Sequence, residues 1–366
     1  MRPHLTLFLG IFSVMALSNA IVPVLPAYGA DASVQGIIYS AYFLGAFLLT
    51  LPAGILSDRF GRIPLIRLGL AVTVTSGIFL TMINSPVAVT ALRFMEGLGA
   101  GLFVASSMSA VNADPDHIRM SGWLMAFLNA GLVSGLLVSG WLASLLGTAP
   151  AGILLFALVA SLPALCGFFV SEPESLPVHL PPGIVTTSII RHRWLWYSSV
   201  VLIGITGVVT SLYPELSGAA SDRLALWVAG MSIATIAAVL LFSRTTIDPV
   251  SSIKWAAVGI AGGVTLSYWS AAGFLFIGAF AGIVMIAQMA FLAEFRRHQG
   301  VFMGLFSTTS YLGMAIMPAA AGFIAVWYGF FAAFAVTVLA ALSVAATIGW
   351  CTCAISEGDC VELKAF

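Results

Sequence analysis

The sequence predicts an all-α integral membrane protein, with twelve transmembrane helices in two pseudo-symmetric six-helix bundles. Three observations carry this. Hydrophobic residues make up 60% of the 366, charged residues only 8%, and mean hydropathy is +1.08, whereas an ordinary soluble domain carries about 25% charged residues. Apolar runs recur along the chain, each near the ~20 residues that a helix needs to cross a bilayer, and they lack the alternation of a barrel strand. A four-position motif also repeats across the middle of the chain. So much apolar surface cannot be hidden inside a water-soluble globule, so the surrounding solvent is lipid. Backbone groups in lipid must satisfy one another, and unbroken apolar runs do so as helices.

The run 5–27 follows Arg2. Its LSNA resembles a signal-peptidase site, but apolar residues continue from Ile21 to Leu25, so it reads as a first span rather than a cleaved leader. Spans 34–56 and 63–83 flank a charged stretch, Gly54 to Arg62. Span 86–109 follows the corner Asn84-Ser85 and carries Arg93 and Glu96 inside its apolar run. Spans 119–146 and 149–170 meet at Gly147-Thr148. Residues 171–193, rich in proline and charge, have the composition of a linker between an N-terminal bundle, 1–170, and a C-terminal bundle, 194–351. The second bundle reads as spans 194–214, 222–243, 253–270, 272–294, 300–325 and 328–351, with a tail at 352–366. Pro23, Pro26, Pro163 and Pro318 are expected to bend their helices.

With the amino terminus in the cytoplasm, twelve of the fourteen Lys and Arg fall in inner loops, Arg223 falls outside and Arg93 within a span. That asymmetry predicts a multi-pass plasma-membrane protein with both termini cytoplasmic. The repeat reads R-x-x-G-x-x-M, at Arg119–Met125 and again at Arg297–Met303, and the same offset carries Gly135 onto Gly313. Each copy opens the fifth span of its half. Parallel repeats of this kind are a transporter design, with solute bound between halves at mid-bilayer.

Net charge is zero and no basic block occurs, which argues against a nucleic-acid partner. Cys166 sits in an apolar run, and Cys351, Cys353 and Cys360 near the end read as reduced thiols, because no paired CxxC or histidine accompanies them; no metal site is expected. The five histidines are scattered over loops, which argues against a lipid-modifying membrane enzyme. No nucleotide loop or serine elbow appears. The chain therefore reads as no enzyme and as holding no cofactor, with energy supplied by an ion gradient, the solute's own gradient or a partner.

Gly54-Ile-Leu-Ser-Asp58-Arg59-Phe-Gly61-Arg62 lies at the turn between the second and third spans. Gly54 removes bulk where another helix can approach, Gly61 permits a tight turn, and Asp58 and Arg62 suit a helix terminus or an ion pair across the rim. A reversible latch and a topology anchor both fit these charges. The stretch closely resembles the signature loop of the major facilitator superfamily, G-x-L-a-D-r-x-G-r-[RK], with its final basic pair reduced to Arg62 before Ile63-Pro64. Arg93-Phe-Met-Glu-Gly97-Leu-Gly99-Ala-Gly101 resembles that family's R-x-x-x-G-x-G. Gly131-x-x-x-Gly135-x-x-x-x-Gly140 resembles the glycine motif of its drug/proton antiporters, with Leu136 where a proline is usual. The resemblance covers 5–351 in topology. It implies that Asp58, Arg59, Arg62, Gly54 and Gly61, with Arg119 and Arg297 on the same face, form a cytoplasmic gate against the start of the eleventh span. It also implies packing roles for Gly97, Gly101, Gly131, Gly135 and Gly140.

Arg93 and Glu96 are the two clearly intramembrane charges. Each costs about 2.5–3.5 kcal/mol on insertion scales, which marks function by default. Three residues apart they share a helix face and can pair, as a proton-coupling site or as a static structural pair. Asn19, Asn129 and Gln288, lone amides in apolar runs, are candidates either to line a cavity or to bond a neighbouring helix, and Tyr39, Tyr42 and Tyr311 are candidate aromatic walls. The expected activity is alternating-access transport of a small organic solute by a monomer in the bilayer, with proton-linked export favoured over uptake or facilitated passage. A transport-dead sensor would lack the gate charges and the intramembrane pair.

Overall fold

A computed structural model of the chain describes residues 3–112, 117–167, 184–242, 248–293 and 299–350. Among them the chain is helical with short connections and no strand. The first half runs α1 (Pro3–Ala20), a 3-10 turn (Val22–Ala27), α2 (Ala32–Phe60), α3 (Arg62–Leu80), α4 (Pro86–Asn112), α5 (His117–Leu146) and α6 (Ala151–Gly167). A short helix, α7 (Ile184–Arg191), precedes the second half: α8 (Arg193–Ser217), α9 (Ser221–Phe242), α10 (Pro249–Trp269), α11 (Ala272–Ala293) and α12 (Gln299–Thr347).

Ten of these helices are long and apolar enough to cross a membrane, and α6 is a shorter apolar one. The 49 residues of α12 span about 74 Å at 1.5 Å per residue, far beyond a hydrocarbon core of ~30 Å. The chain breaks at Gly329, φ 85°, ψ 163°, so α12 supplies two spans and the total is twelve. Gly61 has nearly the same backbone, φ 88°, ψ 155°, and is the single residue between α2 and α3. A side chain is strained at such a φ, so both corners call for glycine.

Each half packs by the same plan. In the first, α1 lies on α5 and α6, α2 on α4, and α3 on α4 and α6; in the second, α8 lies on α12, α9 on α11, and α10 on α11 and α12. The glycine shared by the sequence repeat sits alike in both: Gly135 of α5 faces the Ala16 carbonyl of α1, and Gly313 of α12 faces the Val200 carbonyl of α8. Gly97 of α4 sits on the Tyr42 carbonyl of α2, and Gly278 of α11 on the Met231 carbonyl of α9. Without hydrophobic drive between helices in lipid, such close backbone approach supplies the packing energy.

The halves meet along α2 with α12, α5 with α9, and α2 with α8. Asp31 starts α2 by accepting from the Ser33 and Val34 N–H groups. The Ser33 hydroxyl bond comes first among the causes that hold its carboxyl below the usual range. Four residues on, the Gln35 Nε2 donates across the seam to Glu215 Oε2 of α8 at 3.3 Å. Ser40 Oγ of α2 accepts from the Ala319 N–H of α12 at 3.1 Å, one residue past Pro318, which loosens that helix.

The segment 171–193, read as linker, contains α7. Val185, Ile189 and Ile190 give its turns apolar side chains. The Trp196 indole N–H donates to the Ser188 carbonyl at 3.0 Å. His192, at the joint with α8, is only 2% exposed, with its ring edge-on to Phe291 and Phe302. Burial, with Arg191 beside it, pushes the imidazole down to about 4.

Candidate functional site

Pro23 and Pro26 end α1 in a 3-10 turn. The last four carbonyls of a helix have no partner within it, and the helix end carries partial negative charge. Arg93 of α4 uses both: its Nη2 donates to the Ser18 carbonyl at 3.1 Å. Its Nη1 pairs with Glu96 Oε2 at 2.7 Å, with the two side chains 1% and 0% exposed. The guanidinium carbon lies 4.6 Å from the Tyr42 ring centre, a cation–π contact that partly replaces lost water. α2 holds that ring in place, because Gly97 sits on the Tyr42 carbonyl itself.

Two polar atoms of the pair, Arg93 Nε and Glu96 Oε1, are buried without a protein partner. One carboxylate oxygen is thus held by arginine, while the other, like the Arg93 Nε–H, has no protein partner and is open to a proton or a donor group. An aromatic row continues from here to the second half. Tyr42 meets Phe43 edge-on at 5.1 Å, Tyr39 tilts on Phe43 at 5.0 Å, and Phe43 lies 6.2 Å from Tyr311 of α12. Tyr39 also reaches α8 at Gly207. A chain of ring contacts that starts at Tyr42 thus links the pair to the seam between bundles.

The other sequence candidates fall in several places. Asn19 donates from α1 to the Leu132 carbonyl of α5 at 3.3 Å, a bond between helices. Asn129 bonds its own helix, at the Met125 carbonyl, 2.8 Å away; its amide is used locally. Gln288 is fully buried in α11, and its Nε2 donates to Ser198 Oγ of α8 at 3.0 Å, while its Oε1 has no protein partner. It lies within the second half, apart from the Arg93 pair. Gly101 faces the Ala46 carbonyl, Gly131 the Phe12 carbonyl and Gly140 the Ser221 carbonyl of α9.

At the loop face, Gly61 makes the corner after α2, and Arg62 Nε donates to Ser109 Oγ of α4 at 3.0 Å. Gly54 lies on the last turns of α2, beside side chains that lie outside the described residues. Arg119 is exposed at the start of α5. The side chains of Asp58 and Arg59 lie outside the described residues, as do Arg297 and the three late cysteines.

Sequence reasoning missed Ser18 and Phe43, whose roles come from a helix end and a ring contact that no motif announces. It also missed Gln35 and Glu215, polar residues near span ends that only the fold brings together.

The family model described as Major Facilitator Superfamily matches residues 6–269. Quinolone resistance protein NorA of Staphylococcus aureus (strain MRSA252) is 25% identical over 205 residues, 49% of this chain and 53% of that protein. A multi-drug resistance efflux pump PmrA homolog of Lactococcus lactis subsp. lactis (strain IL1403) is 30% identical over 131 residues, 34% and 32% of the two chains. The matches span about half or less of these curated relatives. The crystal structure of a bacterial homolog to the human lysosomal transporter Spinster, inward-facing and occupied, superposes with a TM-score of 0.77 at 13% identity, over 95% of this chain and 96% of that one. It shares the fold.

Proposed function

The chain belongs to the Major Facilitator Superfamily, and from that premise we propose that it is a proton-coupled exporter of small, largely apolar organic solutes, working by alternating access. The observation that carries this reading is the buried Arg93–Glu96 pair with its two unpartnered atoms. A fully buried ion pair rarely adds stability over apolar residues of the same size, so a stability role alone accounts for it poorly. Linked to the seam between bundles, the same pair has a use. A carboxyl paired with arginine, in surroundings that alternate between wet and dry, can exchange a proton and loosen or tighten the pair as it does so.

The row of rings that runs from Tyr42, against the pair, through Phe43 to Tyr39 and Tyr311 favours a flat or amphipathic solute over a multiply charged one. Export follows the names of NorA and PmrA, which are resistance and efflux proteins. The Gly54–Arg62 loop, with Arg119 and Arg297, serves as the cytoplasmic gate, in a plasma membrane with both termini inside. One chain supplies both walls of the site, so a monomer suffices.

The test is flux in proteoliposomes with and without a pH gradient, after a thermal-shift screen against a drug and metabolite panel finds a solute that raises Tm. Glu96→Gln is expected to bind that solute still, yet to lose accumulation driven by the gradient. Full pH-driven accumulation by Glu96→Gln removes Glu96 from coupling; flux indifferent to the gradient in the unaltered protein ends the proton-coupled reading.

A further inference from the structure

A groove of about 600 Å³ opens sideways between α2, α4 and α12. Its walls are Val34, Ile37, Ala41 and Leu44 of α2, Pro86, Val87, Ala91 and Phe94 of α4, and Ala315 and Ala319 of α12; Ser40 and Thr90 are its polar side chains. Both hydroxyls are engaged, Ser40 with the Ala319 N–H and Thr90 with the Pro86 carbonyl. No charged side chain lines it.

We propose that this groove binds one acyl chain of a bilayer phospholipid. Three features point to that occupant. The flanking surface faces hydrocarbon: Leu44 is 41% and Val87 80% exposed on helices that cross the membrane. Two hydroxyls, each already bonded to backbone, are all the polar side-chain groups the lining offers, so an apolar filler is favoured over water or a polar solute. The length also fits. The lining runs from Val34 to Leu44 on α2 and from Pro86 to Phe94 on α4, about 12–15 Å of helix at 1.5 Å per residue. That matches one leaflet, half of a hydrocarbon core of ~30 Å. The groove starts beside the Asn84-Ser85 corner at the span end, where a headgroup would lie, and stops near mid-bilayer. Its floor is the α2–α12 seam, so the site is composite and exists only while the two halves are packed there.

The full chain in phosphatidylcholine vesicles doped with a phosphatidylcholine carrying a mid-chain diazirine gives the test. After irradiation, mass spectrometry of peptides is expected to show labels concentrated in 34–44, 86–94 and 315–319. The excess should be several-fold over the equally exposed face of α6 around Leu158 and Leu162. Ala91→Trp and, separately, Ala315→Trp fill the groove and should abolish the excess, while Leu158→Trp leaves it. Labelling that merely tracks exposure overturns the proposal, as does an excess that survives a filling substitution in folded, monodisperse protein. The readout needs no transport, so its failure is distinct from failure of the transport reading.

Discussion

The two halves share a skeleton and differ in what they bury. Gly135 and Gly313 perform the same approach to the first span of their bundle, and Gly97 and Gly278 the same approach to the second. Yet the fourth span of one half buries Arg93 and Glu96, while its counterpart, α11, buries the neutral Gln288. Close packing is demanded of both bundles by the bilayer, so it is symmetric. Charge is costly in both, and among the described residues a fully buried ion pair stands in the first half alone.

The comparison breaks most severely at the glycines. Gly97→Leu and Gly278→Leu each drive a side chain into a carbonyl of the facing helix, and neither is expected to yield monodisperse protein on size exclusion. If one half tolerates the change, the skeletons are not equivalent.

Next comes Arg93→Ala, which strands a buried carboxylate and should cost about 3–5 kcal/mol in unfolding experiments. Arg93→Met with Glu96→Leu should recover most of that stability and none of the gradient-driven flux. A double variant as unstable as the single one would make the pair structural.

Gln288→Leu removes one hydrogen bond and one buried, unpartnered oxygen together, and should change stability by no more than about 1 kcal/mol. It should leave the pH dependence of flux intact; a loss of coupling would give the second half a share in the chemistry.

The smallest effect concerns His192. Its imidazole is held down to about 4 against an ordinary value of about 6.5. Between those values the unfolded chain binds a proton that the folded one refuses. Stability therefore falls as pH drops from about 6.5 to 4 and levels off below. His192→Phe should flatten that slope in thermal unfolding across the same range.

Much of the fold was legible because lipid leaves few options. Hydropathy marks the spans, and the break between α10 and α11 was visible at Ser270 without any charge. Helix α7 was masked by its neighbours, since the prolines and charges of 171–193 outweighed eight helical residues. The site was half legible. Arg93 and Glu96 declare themselves because charge is rare in an apolar run. Their partners do not: the backbone carbonyl at Ser18 is available because α1 ends two residues on, and Tyr42 looks like any other ring in a span. Asn129 shows a use that spacing alone does not reveal, since a lone amide in a helix can spend a donor on its own backbone.

The corners at Gly61 and Gly329 have a mechanical consequence. A joint of one residue offers two dihedrals and no spare chain length, so it cannot act as slack. If α2 turns or tilts, α3 is levered with it, and the two spans of α12 are bound in the same way. Motion begun at the seam is thus carried to α3, whose packing among the described residues is on α4 and α6 of its own bundle.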